Sequence, residues 1–560
     1  MSATYSYPGI YVQELPLSTH TITPAPTSIT AFVGYTHPWK TVVFNTAVQL
    51  FSFSDYEANF GGLYTSGLIG ADVARAVYAF FLNGGNNAYV VGLQPAAMQP
   101  GGTPPIQFGN QSDNLGYTAM IAPNPLSPDV GMLFQALEPA DIVPMNATVA
   151  NLRSVSPPSG PYVLFDLVIS YGTRVEVYRS LNLTIPAGQA GSIDKVINGV
   201  STLVTVGSCG GTSYGAFPLA SGGAPPAAPA AARATFTLST LPTMPVASPP
   251  PAFNTSGLNT TFSIQDFLPV FQQNSSLDNV EIFNLLLAPG VADVTVLSAA
   301  LAFAERKRAF AIVDPPQQAS AFPIASGPGT GLPGIATLIP TIPVSQNGAI
   351  YFPYLKATDP VSGMEMAVAP SGYVAGVYAT TDTSRGVWKA PAGIGTPLLG
   401  STGPVASGVM NDMQQGVLNL ASINCLRSFA STGTVVYGAR TLVSANPAFE
   451  QSWYVPVRRM TLFIEQTLVT NLKWVVFEPN DEPLWLAIRS SIESFLLSLF
   501  NQQALQGATP SDAFQVKCDA TTTTPDDQQA GIVNIVVAVA LLKPAEFVVI
   551  KIAQLAGQTS

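Results

Sequence analysis

A serine between two glycines is the part of this sequence that comes nearest to a catalytic motif. Gly211, Ser213 and Gly215 have the spacing of a nucleophile elbow, in which a serine attacks an acyl group. That chemistry needs a histidine base after the serine, but the two histidines, His20 and His37, lie far upstream. The segment also lacks the buried strand and the helix that flank such an elbow. We interpret it as a turn, and a serine hydrolase is an unfavoured alternative.

Three other clusters could in principle bind a ligand, and each has a simpler interpretation. Residues 327–334 are rich in glycine but lack the lysine and the following helix of a phosphate loop. Asp526 and Asp527 have no third carboxylate nearby in the sequence and indicate a solvated turn. The charged run at 305–308 is typical of a helix C-terminus, with contact to an acidic partner as the alternative.

The cysteines give no sign of a metal centre or of a disulfide framework. Cys209, Cys425 and Cys518 are odd in number and far apart. We expect buried thiols in a reducing cytoplasm, no cofactor, no metal and no catalytic residue.

The composition indicates a protein that hides much of its surface. Charged residues make up 10% of the 560 residues, against about 25% in a typical soluble domain. The longest apolar run, 532–542, is too short to span a bilayer, and no secretory signal is recognised, so we expect no membrane insertion. A net charge of −10 without a basic stripe disfavours nucleic acid. The composition therefore favours an assembly of copies over a monomer with an uncharged polar surface.

The elements that follow residue 28 alternate between strands and helices. A helix is expected at 71–83 and a strand at 88–93, and a strand, helix and strand follow at 283–287, 293–308 and 310–315. This order predicts an α/β core with βαβ units. Between these two parts, residues 96–275 have β-like runs, and the Pro- and Ala-rich segment 222–252 is predicted to be a loop or linker.

The last part of the sequence begins with helices and ends with apolar strands. An amphipathic helix is expected at about 483–503, capped by Asn480 or Asp481. The other predicted elements are a helix at 457–471, a strand at 473–477, and strands at 532–542 and 546–552 joined by a tight turn at 543–545.

The fold class predicted from these patterns is α/β (α+β), with a discontinuous core domain made from the N-terminal and C-terminal parts. An inserted β-rich domain and extended terminal arms complete it. The predicted boundaries are an N-terminal arm at 1–27, a first core part at 28–95, the inserted outer domain at 96–275, a second core part at 276–530, and C-terminal strands and arm at 531–560.

Several segments in this order resemble the contractile phage tail sheath family, which includes the sheaths of phage-tail-like injection systems. They are YPGIYVQE at 7–14, TAFVG at 30–34, AVYAFFLNGG at 76–85, APG at 288–290, AIVDPP at 311–316, PSGYVAGVY at 370–378, RGVWKAPAG at 385–393, YGARTL at 437–442, VVFEPN at 475–480 and GATP at 507–510.

The resemblance implies a structural role without enzymatic activity. Subunits of this family polymerise as stacked hexameric rings around an inner tube and contract to drive the tube through a target envelope. The implied partners are other copies of the chain, the inner tube protein, and baseplate and terminal cap proteins. Assembly is expected in the bacterial cytoplasm, in a phage tail or a phage-tail-like particle. A non-contractile tail tube or baseplate protein is the structural alternative.

The resemblance also implies which residues link neighbouring subunits. Arms at the two ends of the chain are expected to add strands to the small sheet of an adjacent subunit, a form of β-augmentation. The expected arm residues are Pro8, Gly9, Ile10, Tyr11, Val12, Phe547, Val548, Val549, Ile550 and Ile552. Residues 8–21, if extended, would reach roughly 45 Å, enough to cross to a neighbour. On the helix near 483–503, Arg489 and Glu493 are expected to face the tube.

Overall fold

The computed structural model describes residues 20–37, 40–66, 70–94, 118–121, 132–138, 143, 145–155, 162–208, 234–237, 262–317, 319, 334 and 343–551. The fold is mixed α/β and divides into two compact units. One unit comprises residues 26–458, and the other comprises residues 459–560 together with those up to Ala25.

The described strands and helices are numbered here in chain order. The strands are β1 Thr30–Tyr35, β2 Ala47–Leu50, β3 Ala88–Leu93, β4 Thr118–Ile121, β5 Met132–Ala136, β6 Met145–Val155, β7 Tyr162–Tyr171, β8 Arg174–Asn182, β9 Val204–Ser208, β10 Ala234–Thr237, β11 Leu285–Leu287, β12 Phe310–Val313, β13 Gly348–Phe352, β14 Leu355–Thr358, β15 Glu365–Val368, β16 Gly403–Pro404, β17 Ile423–Phe429, β18 Gly433–Val436, β19 Phe514–Lys517 and β20 Val536–Val539. The helices are α1 Phe53–Phe60, α2 Asp72–Leu82, α3 Ile193–Ile197, α4 Ile264–Phe267, α5 Val294–Arg306, α6 Ser371–Arg385, α7 Asp412–Leu420, α8 Val455–Asn471, α9 Glu482–Asn501, α10 Pro510–Ala513 and α11 Pro525–Gln529.

An eight-stranded sheet forms the centre of the larger unit, in the order β18-β17-β13-β12-β11-β1-β3-β2. Its inner strands are parallel, and the two edge strands β2 and β18 run antiparallel to their neighbours. Every residue of β1, β11, β12 and β13 is buried, because helices cover both faces of a parallel sheet. The sheet joins strands from residues 30–93 with strands from residues 285–436.

Helices α2 and α6 pack closely because α6 presents glycines at the contact. A Cβ added at Gly376 would lie 2.8 Å from the carbonyl oxygen of Phe80, and one at Gly372 would collide with the backbone of Ala76. The spacing of four residues places both glycines on one face of α6. The PSGYVAGVY segment is thus a helix that needs small residues to reach its neighbour.

The strands between residues 118 and 237 form two antiparallel sheets, β10-β6-β7-β8 and β4-β5-β9. Their presence confirms the β-like character of this part of the chain. The prediction that residues 222–252 are only a loop was wrong at Ala234–Thr237, where β10 pairs with β6. Threonine and phenylalanine favour a strand there despite the surrounding proline and alanine. A further small sheet, β15-β14-β16, belongs to the same unit.

The periodic segments have the predicted structure. Helices α2, α5 and α9 confirm the expected helices at 71–83, 293–308 and 483–503 within two residues at each end. The side chain of Asp481 accepts a hydrogen bond from the amide of Leu484 and caps α9, as expected of one of the two candidate caps.

One predicted strand of the smaller unit was wrong, and a second has no strand partner among the described residues. Residues 473–477 form a 3-10 turn at Lys473–Val475 and a loop, in which Phe477 has a φ of 73° and a fully exposed side chain. Residues 546–551 contain no strand, and β20, at Val536–Val539, pairs with β19 rather than with them. Apolar residues alone do not make a strand, because a strand also needs a neighbour for its backbone groups.

Candidate assembly interface

Within the described residues of the smaller unit, β19 and β20 form an antiparallel sheet of two strands. Phe514 of β19 is opposite Val539 of β20, and Lys517 is opposite Val536. The pairing continues past β20, where the amide of Ala540 donates to the carbonyl of Ala513 at 2.8 Å. Along β19 and β20 themselves, each strand has one neighbour among the described residues, so the other edge of each presents backbone donors and acceptors to an added strand. Just beyond β20, Leu541 forms an isolated bridge with Leu505.

Helix α9 supports this unit through one apolar face. Its buried side chains are Leu484, Trp485, Ile488, Ile492, Phe495, Leu496 and Leu499. The Trp485 indole nitrogen donates to Asn480 Oδ1 at 2.8 Å, and the Phe495 ring lies 6.2 Å from that of Phe463 in α8. Among the described residues, α9 is the one helix with the length and composition of a membrane span, a property that buried core helices share.

The tail after β20 exposes a continuous apolar run. Phe547, Val548, Val549 and Ile550 expose 73%, 80%, 78% and 79% of their surface. Four consecutive large apolar side chains in water are unfavourable and are typical of a segment that a partner covers. Ile552 and the predicted arm residues Pro8 to Val12 lie outside the described residues.

The two residues predicted to face the tube, Arg489 and Glu493, lie on the solvent-exposed side of α9. Arg489 Nε is 3.9 Å from Glu493 Oε1, and their side chains are 36% and 48% exposed. Leu486 and Leu497 are exposed on the same helix, so that its outer surface is mixed in character. A spaced pair of this kind contributes little to stability, about 0.3–0.5 kcal/mol, and leaves the charges available to a partner.

The candidate catalytic and ligand-binding patterns have structural explanations where they are described. Asp527 forms a capping box with Thr524 at the start of α11. Arg306 Nη2 lies 3.1 Å from Asp278 Oδ1, and Lys307 Nζ donates to two backbone carbonyls. Cys425 and Cys518 are buried free thiols. Ser213, Cys209 and most of residues 327–334 lie outside the described residues.

The described part of the chain holds no group of three or more His, Cys, Asp or Glu residues that could bind a metal ion. Neither histidine is placed as a hydrolase base: His37 is fully buried against Glu138. His20 stacks on Trp474 instead, with ring centroids 3.8 Å apart.

Glu138 is the centre of a buried charge cluster in the larger unit. One carboxylate oxygen lies 2.9 Å from His37 Nε2, and the other lies 2.6 Å from Lys40 Nζ and 2.9 Å from Arg174 Nη2. Burial acts to raise the pKa of Glu138, but the hydrogen bond from His37 and the two cations hold it at about 2. Burial lowers the pKa of His37, which is therefore neutral at pH 7. Lys40 N–H donates to His37 Nδ1, so Nε2 carries the proton that Glu138 accepts.

A second buried carboxylate joins three of the segments that carry the family resemblance. Asp314, after β12, accepts hydrogen bonds from the amide and hydroxyl of Ser371 at the start of α6 and from the amide of Gly290. Burial raises the pKa of Asp314 to about 6. The AIVDPP, PSGYVAGVY and APG segments therefore meet at one carboxyl group that caps a helix from a neighbouring strand.

Sequence reasoning missed both the Glu138 cluster and the exposed Phe477. Glu138 and His37 are 101 positions apart, and no local pattern connects them. At Phe477 the sequence signal was misleading, because the apolar run 474–477 has the composition of a strand.

A family model described as the phage tail sheath C-terminal domain matches residues 448–554. The tail sheath protein of Vibrio phage KVP40 is 28% identical over 151 residues, which are 27% of this chain and 21% of that protein. The tail sheath protein of Salmonella phage ViI is 27% identical over 173 residues, which are 31% of this chain and 25% of that protein. The matches thus span a quarter or less of these two relatives.

Solved structures of similar fold cover nearly the whole chain. The contracted sheath complex of the PVC extracellular contractile injection system is 19% identical with a TM-score of 0.54, over 99% of both chains. The contracted helical sheath of the anti-feeding prophage is 20% identical with a TM-score of 0.53, over 98% of this chain and 100% of that one. A chain of its six-fold-symmetrised baseplate is 20% identical with a TM-score of 0.53, over 98% and 99% of the two chains. The predicted resemblance to contractile tail sheath proteins is confirmed.

Proposed function

We propose that this chain is a structural sheath subunit that polymerises as stacked hexameric rings around an inner tube and contracts to drive the tube through a target envelope. The observation that carries the proposal lies in the smaller unit. A match to the sheath C-terminal domain coincides there with an open-edged two-stranded sheet and an exposed apolar tail. A sheet that lacks strands and a segment that lacks a partner are complementary between copies of one chain.

The two ends of the chain supply the missing strands. The C-terminal tail from Phe547 to Ile552 and the N-terminal residues Pro8 to Val12 add to the β19–β20 sheet of neighbouring subunits. Main-chain hydrogen bonds then link the lattice, and the linkers before each added strand let the subunit bodies rotate during contraction. This arrangement covers the four apolar side chains that the single chain leaves exposed.

The domain arrangement follows the same proposal. In this proposal residues 28–95 and 276–530 are the two parts of the core domain, and residues 96–275 are inserted between them and point away from the tube. Residues 1–27 and 531–560 include the arms. Support comes from the sheet itself, which pairs β1 with both β3 and β11, strands that flank the insertion in sequence.

The proposed partners are the chain itself, an inner tube protein, and baseplate and terminal cap proteins, in a particle assembled in the bacterial cytoplasm. The protein performs no catalysis, uses no cofactor and binds no nucleic acid. Similarity to a chain of a six-fold-symmetrised baseplate structure supports the hexameric ring. It also favours a second candidate, a sheath-like ring subunit confined to the baseplate, which would form single rings and no long polymer.

Removal of residues 1–19 tests the proposal. This deletion keeps Ile22, which is buried, so the chain is expected to fold. Without Pro8 to Val12, one of the two linking strands is absent, and we expect a soluble protein that does not form long polymers. Removal of residues 1–6, which keeps the proposed strand, is the matched control and should polymerise normally.

The measurement is sedimentation and electron microscopy of both truncated chains beside the full-length chain. Thermal unfolding at the same temperature for all three would show that the fold is intact. Long, regular tubes from the chain lacking residues 1–19 would contradict the role of the N-terminal arm.

A further inference from the structure

Residues 20–25, here called the arm root, are bound to helix α8 by side chains of the same unit. Asn471 is the last residue of α8, and its side-chain amide both accepts a hydrogen bond from the arm root and donates one to it. Thr23 N–H donates to Asn471 Oδ1 at 2.9 Å, and Asn471 Nδ2 donates to the Thr23 carbonyl at 2.8 Å. The Asn471 amide therefore satisfies one backbone donor and one backbone acceptor of the arm root, as a neighbouring strand would in a sheet.

Two further contacts hold the arm root on either side of Thr23. The amide of Ala25 donates to Thr467 Oγ1 at 3.1 Å, and Thr467 is completely buried. The His20 ring stacks on Trp474 with centroids 3.8 Å apart and planes 14° apart. Between them Ile22 is only 7% exposed. The extended segment is therefore held at its start, middle and end.

Asn471 is itself fixed in orientation. Its Nδ2 atom also donates to the Thr467 carbonyl one helical turn earlier at 2.8 Å. The side chain is thus oriented by its own helix before it meets the arm root, which reduces the conformational entropy lost in the contact.

We propose that Thr467, Asn471 and Trp474 form an anchor that fixes the root of the N-terminal arm, so that a second copy of this chain holding the arm pulls directly on helix α8. This inference rests on the proposed function, because it assigns these residues a role in linking subunits. The anchor sets where the body ends and where the linker to the exchanged strand begins.

The anchor also sets the length of that linker. With the root fixed at His20, about seven residues separate it from Val12, a reach of at most about 25 Å. If the root were released as far as Ala25, about 13 residues would intervene, and the reach would grow to at most about 45 Å. Effective concentration falls roughly as the −3/2 power of linker length, so strand exchange would weaken about twofold to threefold.

The test uses variants that remove the anchor and keep the proposed arm strand. Asn471→Leu removes both bonds to Thr23, and Thr467→Val removes the acceptor for Ala25 with little change of shape. Thr470→Val is the matched control, because Thr470 Oγ1 accepts only a weak bond, at 3.3 Å, from Gln466 of the same helix. Asn471→Asp, which keeps the acceptor and loses the donor, is a milder variant for use if Asn471→Leu does not fold.

The first measurement is amide hydrogen exchange at Thr23 and Ala25 in unpolymerised full-length protein. We expect exchange to become about twofold to tenfold faster for each hydrogen bond removed, and to be unchanged in Thr470→Val. The second is the lowest concentration that supports polymerisation, which should rise about twofold to threefold in the Thr467→Val/Asn471→Leu double variant.

The outcomes separate the anchor from the sheath proposal. Unchanged exchange in the double variant, or faster exchange with unchanged polymerisation, would overturn the anchor while leaving the sheath proposal intact. Long polymers from the chain lacking residues 1–19 would overturn the arm exchange itself, whatever the exchange rates at Thr23 and Ala25.

Discussion

Glu138 shows how a chain with few charges uses them inside the molecule. Its carboxylate is completely buried and meets a neutral histidine and two cations, all within 2.9 Å. His37 and Lys40 follow β1 of the large sheet, whereas Arg174 begins β8 of a sheet far along the chain. The cluster thus ties the antiparallel sheets of the larger unit to the end of a parallel strand by one charge.

Replacement of Glu138 by glutamine is expected to destabilise the larger unit. The amide keeps the shape but leaves Lys40 and Arg174 without a countercharge. Because those two side chains are 24% and 36% exposed, water offsets part of the loss, and we expect a decrease of about 2–4 kcal/mol in the free energy of unfolding. Denaturant unfolding at pH 7 measures this value.

The pH dependence of the same variant gives an independent check. The folded-state pKa of Glu138, about 2, lies below the ordinary value of 4.5, so its stabilisation is complete above pH 4.5 and declines as the pH falls towards 2. The difference in stability between the natural chain and Glu138→Gln should therefore shrink in acid. A difference that stays constant from pH 7 to pH 3 would contradict the assigned role.

None of this cluster was foreseeable from the sequence. His37 drew attention only as a histidine on the wrong side of Ser213, and Glu138 and Arg174 drew none. The burial of a charge depends on residues that the fold brings from 101 positions away, whereas sequence patterns report on neighbours within a helix or strand.

At the scale of elements, the contact between α2 and α6 depends on backbones that approach closely. A methyl group at Gly376 would lie 2.5 Å from Asn83 Cβ and 2.8 Å from the Phe80 carbonyl oxygen. Both atoms belong to the C-terminal half of α2 and its end, so they cannot move without disturbing the helix. Close packing, rather than flexibility, explains the glycine.

Two glycine substitutions of opposite expected sign test this explanation. Gly376→Ala should lower the free energy of unfolding by about 1–3 kcal/mol through overpacking. Gly416→Ala is the control, because Gly416 is inside α7 and a Cβ there would meet no atom within 4 Å. That change should raise stability by about 0.5–1 kcal/mol, since alanine favours the helix. Equal effects of the two changes in thermal or denaturant unfolding would contradict the close contact.

The exposed face of α9, which carries Arg489 and Glu493, allows a prediction about binding to the inner tube. Arg489→Glu and Glu493→Arg each reverse one charge of a surface pair whose contribution to folding is small, so the fold should persist. If this face meets the inner tube, each reversal should weaken co-sedimentation of the sheath with the tube more than it weakens polymerisation of the sheath.

The doubly reversed variant separates recognition from internal pairing. Arg489→Glu/Glu493→Arg restores an ion pair within α9 but keeps the altered surface pattern, so tube binding should remain weak. Recovery of tube binding, or equal losses of tube binding and polymerisation, would indicate that the helix only supports the unit to which it belongs.

The elements also show which signals in a sequence are reliable. Helices α2, α5 and α9 were predicted because an apolar stripe repeated at helical spacing over 11 to 20 residues indicates an amphipathic helix. Residues 473–477 were misread as a strand, because pairing needs a partner that composition does not supply. The strand predicted at 546–552 stays a prediction, because within the described chain it has no neighbour. For Phe547 to Ile550, we propose that the missing partner is another copy of the chain.

At the scale of the whole molecule, the low charge content and the exposed apolar tail have one explanation. A chain with 10% charged residues has little surface that repels other copies, and the run from Phe547 to Ile550 adds an apolar segment that water disfavours. Both properties favour assembly, and neither needs a catalytic site. Buried groups that could be taken for catalytic residues, Glu138 and Asp314, instead hold strands and helices together.

The most direct test of this account is electron microscopy of the assembled particle, with length, diameter and subunit number measured in untreated samples and in samples exposed to mild denaturant. The account predicts a polymer of stacked six-membered rings with two lengths, in which the shorter form is wider and contains the same number of subunits. A tube of one fixed length under all conditions, or single rings that never stack, would contradict it.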